Sequence, residues 1–314
     1  MAQGSTRVVL AALAGNGAIA LAKFAAAWLS GSTAMLTEAV HSLVDTGDQF
    51  LLLAGQARGR KAPDESHPLG YGMETYFWSF IVALMVFFLG GVFSVWQGVR
   101  HIIHPEPVVS PWISLGVLAV AAVFEGASFR VGYREYKAVM RGRTVKGRQV
   151  SLWTFIKISK DPSLVSVLLE DSAALIGIVL AAVGVVGATW LNMPWADGAA
   201  SVAIGLLLAA VAFVLGNETR SLIAGEAVAE PVLVQLKATL AAIDCITELQ
   251  QIATLHLGPS EILVALTLSF RPQSTTESLN SAIRELTACL KAADGRVAYV
   301  YVRPAVQAPA AAVS

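Results

Sequence analysis

The chain has 314 residues, 55% of them hydrophobic and 14% charged, with a mean hydropathy of +0.64. Ordinary soluble domains are less apolar and more charged, so composition alone assigns it to a membrane. Lysine plus arginine and aspartate plus glutamate both number 22, which leaves no excess positive charge to hold nucleic acid.

A spanning helix needs about 20 largely apolar residues. Six stretches meet that need: Val8 to Leu29, Thr33 to Gln56, Thr75 to Val99, Trp112 to Val131, Leu164 to Leu191 and Ala199 to Leu215. The first is expected to remain as a helix rather than be cut as a signal peptide, because MAQGSTR has one basic residue and no small-residue cleavage pattern follows. Ser30 to Ser32 allows only a tight turn, so the first two helices form a hairpin.

Lysine and arginine in short loops stay cytoplasmic. Arg7, then Arg58, Arg60 and Lys61, then Arg134, Lys137, Arg141, Arg143, Lys146, Arg148, Lys157 and Lys160 all fall on one side. The other side has RHIIHPEPVVSP with one arginine and NMPWADG with no basic residue, so both termini are expected in the cytoplasm. The basic run between the fourth and fifth helices reads as a topology determinant beside anionic headgroups rather than as a binding patch.

After Asn217 the pattern changes. Residues 228–243 read as an amphipathic helix and 246–256 as a strand. EILVALTLSF places Ile262, Val264, Leu266, Leu268 and Phe270 at alternate positions, the period of a half-buried strand. Thr275 to Ala292 reads as a helix and RVAYVYV as a last strand. The expected organisation is an all-α membrane domain of six helices over 1–217, then an α+β αββαβ domain with an antiparallel sheet over 218–304, then a disordered tail, 305–314. Cys245 and Cys289, both in this last third, are expected to be reduced core thiols, with neither a disulfide framework nor a CxxC zinc site.

Ionisable residues at bilayer depth are costly and by default paired and functional. The stretch TEAVHSLVD contains three of them. At about 100° per residue, Glu38, His41, Asp45 and Asp48 fall within about 80° of one another on the helix. His41 and Asp45, four apart, can aim at one point. An imidazole nitrogen and a carboxylate oxygen are both donors that a divalent cation accepts. The fifth helix carries Glu170 and Asp171 in DPSLVSVLLEDSAALIG, and the fourth carries Glu125 in VFEGAS. A lone carboxylate could be helix-packing glue, bonded to Ser, Asn16 or Lys23. Three helices with carboxylates at similar depth point instead to a shared cation site. Glu170 and Asp171, about 100° apart, cannot both face one partner squarely.

GSTAMLTEAVHSLVDTGDQ and APDESHPLGYGMET resemble the cation diffusion facilitators, divalent-metal transporters with six helices and a cytoplasmic αββαβ (ferredoxin-like) domain. The resemblance extends through DPSLVSVLLEDSAA, PWADGAAS and LHLGPSEILV, so it covers nearly the whole chain. EGAS and DPSLVSVLLEDSAA look most like the branch that includes the mitochondrial zinc transporter of animals. The resemblance implies proton-coupled export of zinc by a homodimer. It also implies a transport site in which His41 and Asp45 form the pair on the second helix and Asp171 is the second aspartate on the fifth. The remaining position of that pattern is Val167, which cannot bind metal, so Glu170 or Glu125 is the candidate fourth ligand, or else water fills the place. A second ion in the loop is a possibility through Asp64 and His67, but Tyr71 stands where a further histidine is expected. In the cytoplasmic domain the corresponding metal positions are Gln250, Leu266, Tyr301 and Arg303, so no metal is expected there. His256 is expected to be a surface or strand residue rather than a ligand, and no histidine-rich loop separates the fourth and fifth helices.

Metal binds deprotonated ligands, so loading His41 and the carboxylates displaces protons, which is the chemistry of cation/proton antiport by alternating access. Zinc is expected from the histidine, with manganese, iron or cobalt as alternatives if the site is all carboxylate. The alternatives to transport are a member acting as a metal sensor or scaffold, for which Val167 argues, and a membrane acyltransferase. Against the enzyme, HSLVD lies mid-helix rather than at the membrane surface. A bacterial inner membrane is the expected location.

Overall fold

The computed structural model of the protein describes residues 3–139, 144–145, 148–149, 160–243, 246–271 and 275–305. Six long helices come first: α1 (Gln3–Ser30), α2 (Thr33–Gly59), α3 (Met73–Ile103), α4 (Pro111–Val139), α5 (Pro162–Trp190) and α6 (Ala196–Ile223). A short antiparallel pair, β1 (Thr144–Val145) and β2 (Arg148–Gln149), lies between α4 and α5. Then follow α7 (Glu230–Ala241), β3 (Ile246–Gly258), β4 (Glu261–Phe270), α8 (Thr276–Ala293) and β5 (Val297–Pro304).

All six helices extend past the apolar stretches that mark them at one end or both, although α5 stops at Trp190, one residue short of Leu191. Hydropathy reports only the part immersed in hydrocarbon, whereas backbone hydrogen bonding continues into the polar flanks. Among the described residues, α3, α4, α5 and α6 are long and apolar enough to cross a membrane. The polar stripe His41, Asp45, Asp48 and Gln49 lowers the hydropathy of α2.

Contacts divide the chain into two units, residues 1–56 with 77–220, and residues 57–76 with 221–314. The loop between α2 and α3 thus groups with the C-terminal elements, where the sequence had suggested one cut near residue 217. The tail from 306 onward, Cys245 and most of the basic run between α4 and α5 lie outside the described residues.

In the helical unit, Gly31 adopts φ +70° and its N–H closes on Ala27 O at 2.9 Å, ending α1 so that α2 can start two residues later. The N-terminus of α2 is capped from another helix. The Asp197 carboxylate at the start of α6 accepts from Ser32 Oγ at 2.6 Å, Ala34 N at 3.2 Å and Thr33 N. This ties two helix starts together and neutralises donors that a helix end leaves open. The N-terminus of α5 is capped locally: Asp161 accepts from Ser163 N at 3.0 Å, with Pro162 opening the helix. Inside α3, residues Val86–Val92 widen into a π-helical turn holding Gly90 and Gly91. Gly91 and Gly98 of α3 meet Gly198, Gly205 and Ala209 of α6 backbone to backbone. A Cβ on Gly98 would lie 2.6 Å from Gly198 O, and Ser201 Oγ donates to Ser94 O at 3.0 Å.

The second unit folds on β4. Its buried Ile262, Val264, Leu266 and Leu268 pack with Leu236 and Leu240 of α7, Leu286 and Leu290 of α8, and Val297. The order is β3-β4-β5; β3 pairs antiparallel to β4, but β5 runs parallel to it. The expectation of an antiparallel sheet is corrected here. The α8 crossover carries the chain back to the starting edge, which is what a strand-helix-strand connection requires. His256 is a strand residue, as expected, and is buried on β3. Cys289 is half-buried and outside any disulfide.

Candidate metal centre

The polar stripe of α2 faces inward. Glu38, His41 and Asp48 are buried at 0%, 1% and 0% exposure, and Asp45 is half-buried. A cavity of about 20 Å³, room for one water-sized species, opens beside them. Its walls come from four helices. Asn16 and Ile19 belong to α1; Ser42, Asp45 and Gln49 to α2; Glu125 to α4; Val167, Glu170 and Asp171 to α5.

One oxygen each of Asp45, Asp48 and Glu170 lies within 4.8 Å of the others. Asp45 Oδ1, both Asp48 oxygens and Glu170 Oε1 have no hydrogen-bond partner. Buried polar groups in folded proteins are almost always satisfied. Unpartnered carboxylate oxygens converging from two helices form a cradle for a cation or for shared protons.

Of the residues singled out from sequence, Asp45, Asp171, Glu170 and Glu125 line this cavity. His41 and Asp48 stand outside its lining; His41 Nδ1 lies 3.4 Å from Asp45 Oδ1, and neither ring nitrogen is hydrogen-bonded. The two neighbouring carboxylates of α5 fork. Glu170 turns to Asp45 and Asp48 of α2, while Asp171 Oδ2 accepts from Ser128 Oγ of α4 at 2.8 Å. Val167 is in the wall, as its place one helical turn before Asp171 dictates.

Asp48, on the stripe three residues beyond Asp45, is an addition to the ligand candidates that the sequence offers. Lys23 bonds one carboxylate of the stripe, as the packing alternative in the sequence allows. Its side chain is fully buried, and Nζ donates to Glu38 Oε2 at 3.0 Å and Ser42 Oγ at 2.7 Å. Glu38 is therefore the packing carboxylate of the set, held across α1 and α2 and touching Gly177 of α5.

The loop residues Asp64 and His67 make a different arrangement. Asp64 Oδ1 accepts from Ser66 N, Ser66 Oγ and His67 N at 3.0, 2.6 and 2.9 Å. Its Oδ2 accepts from Lys61 Nζ at 2.8 Å and Tyr71 Oη at 2.7 Å. These donors fill the acceptor capacity of a carboxylate. Lys61, then Ser66 and Tyr71, hold the Asp64 carboxyl well below the usual carboxylate range, and Asp64 and Tyr71 push the Lys61 ammonium up. A metal ion would have to displace an ammonium already in place.

Residues 9–224 match a family profile described as the cation efflux transmembrane domain. The chain is 34% identical over 222 residues to a mitochondrial proton-coupled zinc antiporter of Homo sapiens, covering 70% of this chain and 38% of that protein. It is 29% identical over 278 residues to metal tolerance protein C4 of Arabidopsis thaliana, covering 88% and 59% respectively. A cation-efflux pump of Shigella boydii is 29% identical over 120 residues, covering 38% of this chain and 39% of the pump. The matched region spans 38% to 59% of the length of these relatives.

Proposed function

The chain belongs to the cation efflux family, a family of membrane transporters rather than enzymes, and on that premise we propose that it moves a divalent metal cation, zinc first, across a membrane in exchange for protons. One observation carries the reading. Carboxylates from α2, α4 and α5 line a small buried cavity, and two of their oxygens, Asp45 Oδ1 and Glu170 Oε1, have no hydrogen-bond partner. The proposed substrate ligands are drawn from Asp45, Asp48 and Glu170, with His41, Asp171 and Glu125 within the same cluster of helices.

The groups that take the metal must shed protons to do so, and regain them when it leaves. That couples the two fluxes without a separate proton path. Alternating access follows if α2 and α5 rock about the cavity, exposing it to each side in turn. All six long helices span in this reading, and the lysine and arginine bias puts both termini in the cytoplasm. The αββαβ unit is metal-free and serves assembly of a homodimer. The loop around Asp64 is held by Lys61 instead of by a second ion.

A second substrate is favoured by the triad itself. Asp45, Asp48 and Glu170 are all oxygen donors, which suit manganese or iron, whereas His41 and the zinc antiporter relatives favour zinc. Val167 favours a third reading, a sensor or scaffold that binds metal without moving it.

Uptake into proteoliposomes under an imposed pH gradient tests all three. Wild type is expected to take up zinc with counterflow of protons, and Asp45→Ala, Asp171→Ala and Glu170→Ala to lose it. Absence of metal-dependent proton flux in wild type refutes antiport, while metal binding without flux favours the sensor. Activity lost in Glu125→Ala but kept in Glu170→Ala assigns the missing ligand to α4.

A further inference from the structure

The one ammonium buried at 0% exposure among the described residues belongs to Lys23 of α1, and it sits beside the cation cavity. Ser42 joins the two: it lines the cavity, and its hydroxyl accepts from Lys23 Nζ at 2.7 Å. The other contact of Nζ is Glu38 Oε2 at 3.0 Å, and Glu38 is outside the cavity lining. Of this buried pair, the positive end therefore touches the cavity wall and the negative end is turned away, toward Gly177 of α5.

A fixed positive charge next to a cation site looks counterproductive if tight binding is the goal. A transporter needs something else, binding weak enough for the ion to leave. An ionised carboxylate cluster such as Asp45, Asp48 and Glu170 would hold a divalent ion tightly in a medium of low dielectric constant. We infer that Lys23 sets the cation affinity of this cavity: its tethered ammonium, held on Ser42 and Glu38, opposes the bound ion and keeps it releasable. The inference rests on the transport-site reading above and deepens it. It assigns Lys23 as a positioning and affinity-setting residue, not as a ligand.

The geometry gives the role its sign. A unit charge within about 10 Å of a divalent ion, at an effective dielectric constant of about 20, changes affinity by well over tenfold, and the nearby Glu38 carboxylate offsets part of that. Lys23→Gln should therefore tighten zinc binding at least tenfold, and Lys23→Arg, which keeps the charge, should remain near wild type. Because Lys23→Gln leaves Glu38 buried without its partner, the double variant Lys23→Gln/Glu38→Gln is needed as well; it restores a neutral hydrogen-bonded pair.

The experiment is equilibrium binding of zinc chloride to the full-length protein in detergent at one fixed pH, with cobalt absorption recorded in parallel. The expected result is a tighter Kd in Lys23→Gln and in the double variant, with the cobalt ligand-field bands of wild type retained. Slower zinc release in stopped-flow chelator chase should accompany it. A double variant with the wild-type Kd overturns the inference, because the gain in the single variant then comes from the bared Glu38 carboxylate. A weaker Kd with altered cobalt bands also overturns it, since Lys23 would then be supporting the ligand geometry. If wild type itself binds neither metal, what fails is the transport-site reading, a result distinct from failure of the role of Lys23.

Discussion

Replacement of Asp48 by asparagine should change the metal-free and the metal-bound protein in opposite directions. Oxygens of Asp48, Asp45 and Glu170 lie within 4.8 Å of one another. At that spacing two ionised carboxylates repel by about 3.5 kcal/mol at an effective dielectric constant of about 20. Asp48 takes part in two such pairs. Taking up a proton instead, at pH 7, costs a carboxyl of ordinary affinity about 4 kcal/mol, and that figure caps the relief available. An asparagine amide at 48 carries no charge and can donate to Asp45 Oδ1 or Glu170 Oε1, neither of which has a hydrogen-bond partner. Without metal, Asp48→Asn should therefore be more stable than wild type by about 1–3 kcal/mol. With metal the order reverses. Zinc at 100 times its Kd stabilises wild type by about 2.7 kcal/mol, and a 100-fold loss of affinity reduces that to about 0.4 kcal/mol. Intrinsic tryptophan fluorescence during thermal unfolding in detergent, with chelator and with zinc, reads both quantities. A metal-free variant less stable than wild type, or a zinc-induced rise in Tm of wild-type size, refutes the reasoning.

Other expectations concern the frame that holds the site. Gly98→Ala places a methyl against Gly198 O and Val202 N, both backbone atoms that cannot swing aside. Overpacking there costs about 1–3 kcal/mol, against about 1 kcal/mol returned in helix propensity; a thermal midpoint equal to wild type would mean that the α3–α6 crossing opens freely. Leu266→Ala removes a side chain 2% exposed at the centre of the αββαβ core and should destabilise that unit by about 2–5 kcal/mol, read by urea unfolding followed by circular dichroism. In the loop, the depressed Asp64 carboxyl contributes above its unfolded value near 4 and loses that contribution only as pH falls through the lower folded value. The raised Lys61 ammonium contributes below its unfolded value near 10. Hydrogen exchange over residues 64–71 should thus show equal protection at pH 5 and pH 8 after correction for intrinsic rates, and lose it in Asp64→Ala; loss in wild type at pH 5 contradicts this.

Much of the frame was legible in residue order because apolar length and period are properties of one element at a time. The six helices, the polar stripe of α2 and the alternation of Ile262, Val264, Leu266 and Leu268 all appear in the structure where the sequence implies them. The same holds for the 100° offset between Glu170 and Asp171, which sends one carboxylate to α2 and the other to α4. The direction of β5 was not legible, since period-two alternation is the same for parallel and antiparallel neighbours and only the α8 crossover decides it.

What the sequence by itself determined about this protein is that it belongs in a membrane, that its apolar helices carry carboxylates, and that a small αββαβ unit follows. Which of those carboxylates meet was decided by tertiary structure. Helix rotation and register bring Asp48 to Asp45 and Glu170, turn His41 out of the cavity wall, and hold Glu38 on Lys23. A side chain's own position fixes the face of the helix it lies on, but its partner is chosen by how the next helix is rotated. That depends on packing along the whole crossing, down to glycines such as Gly177 that let a carboxylate approach.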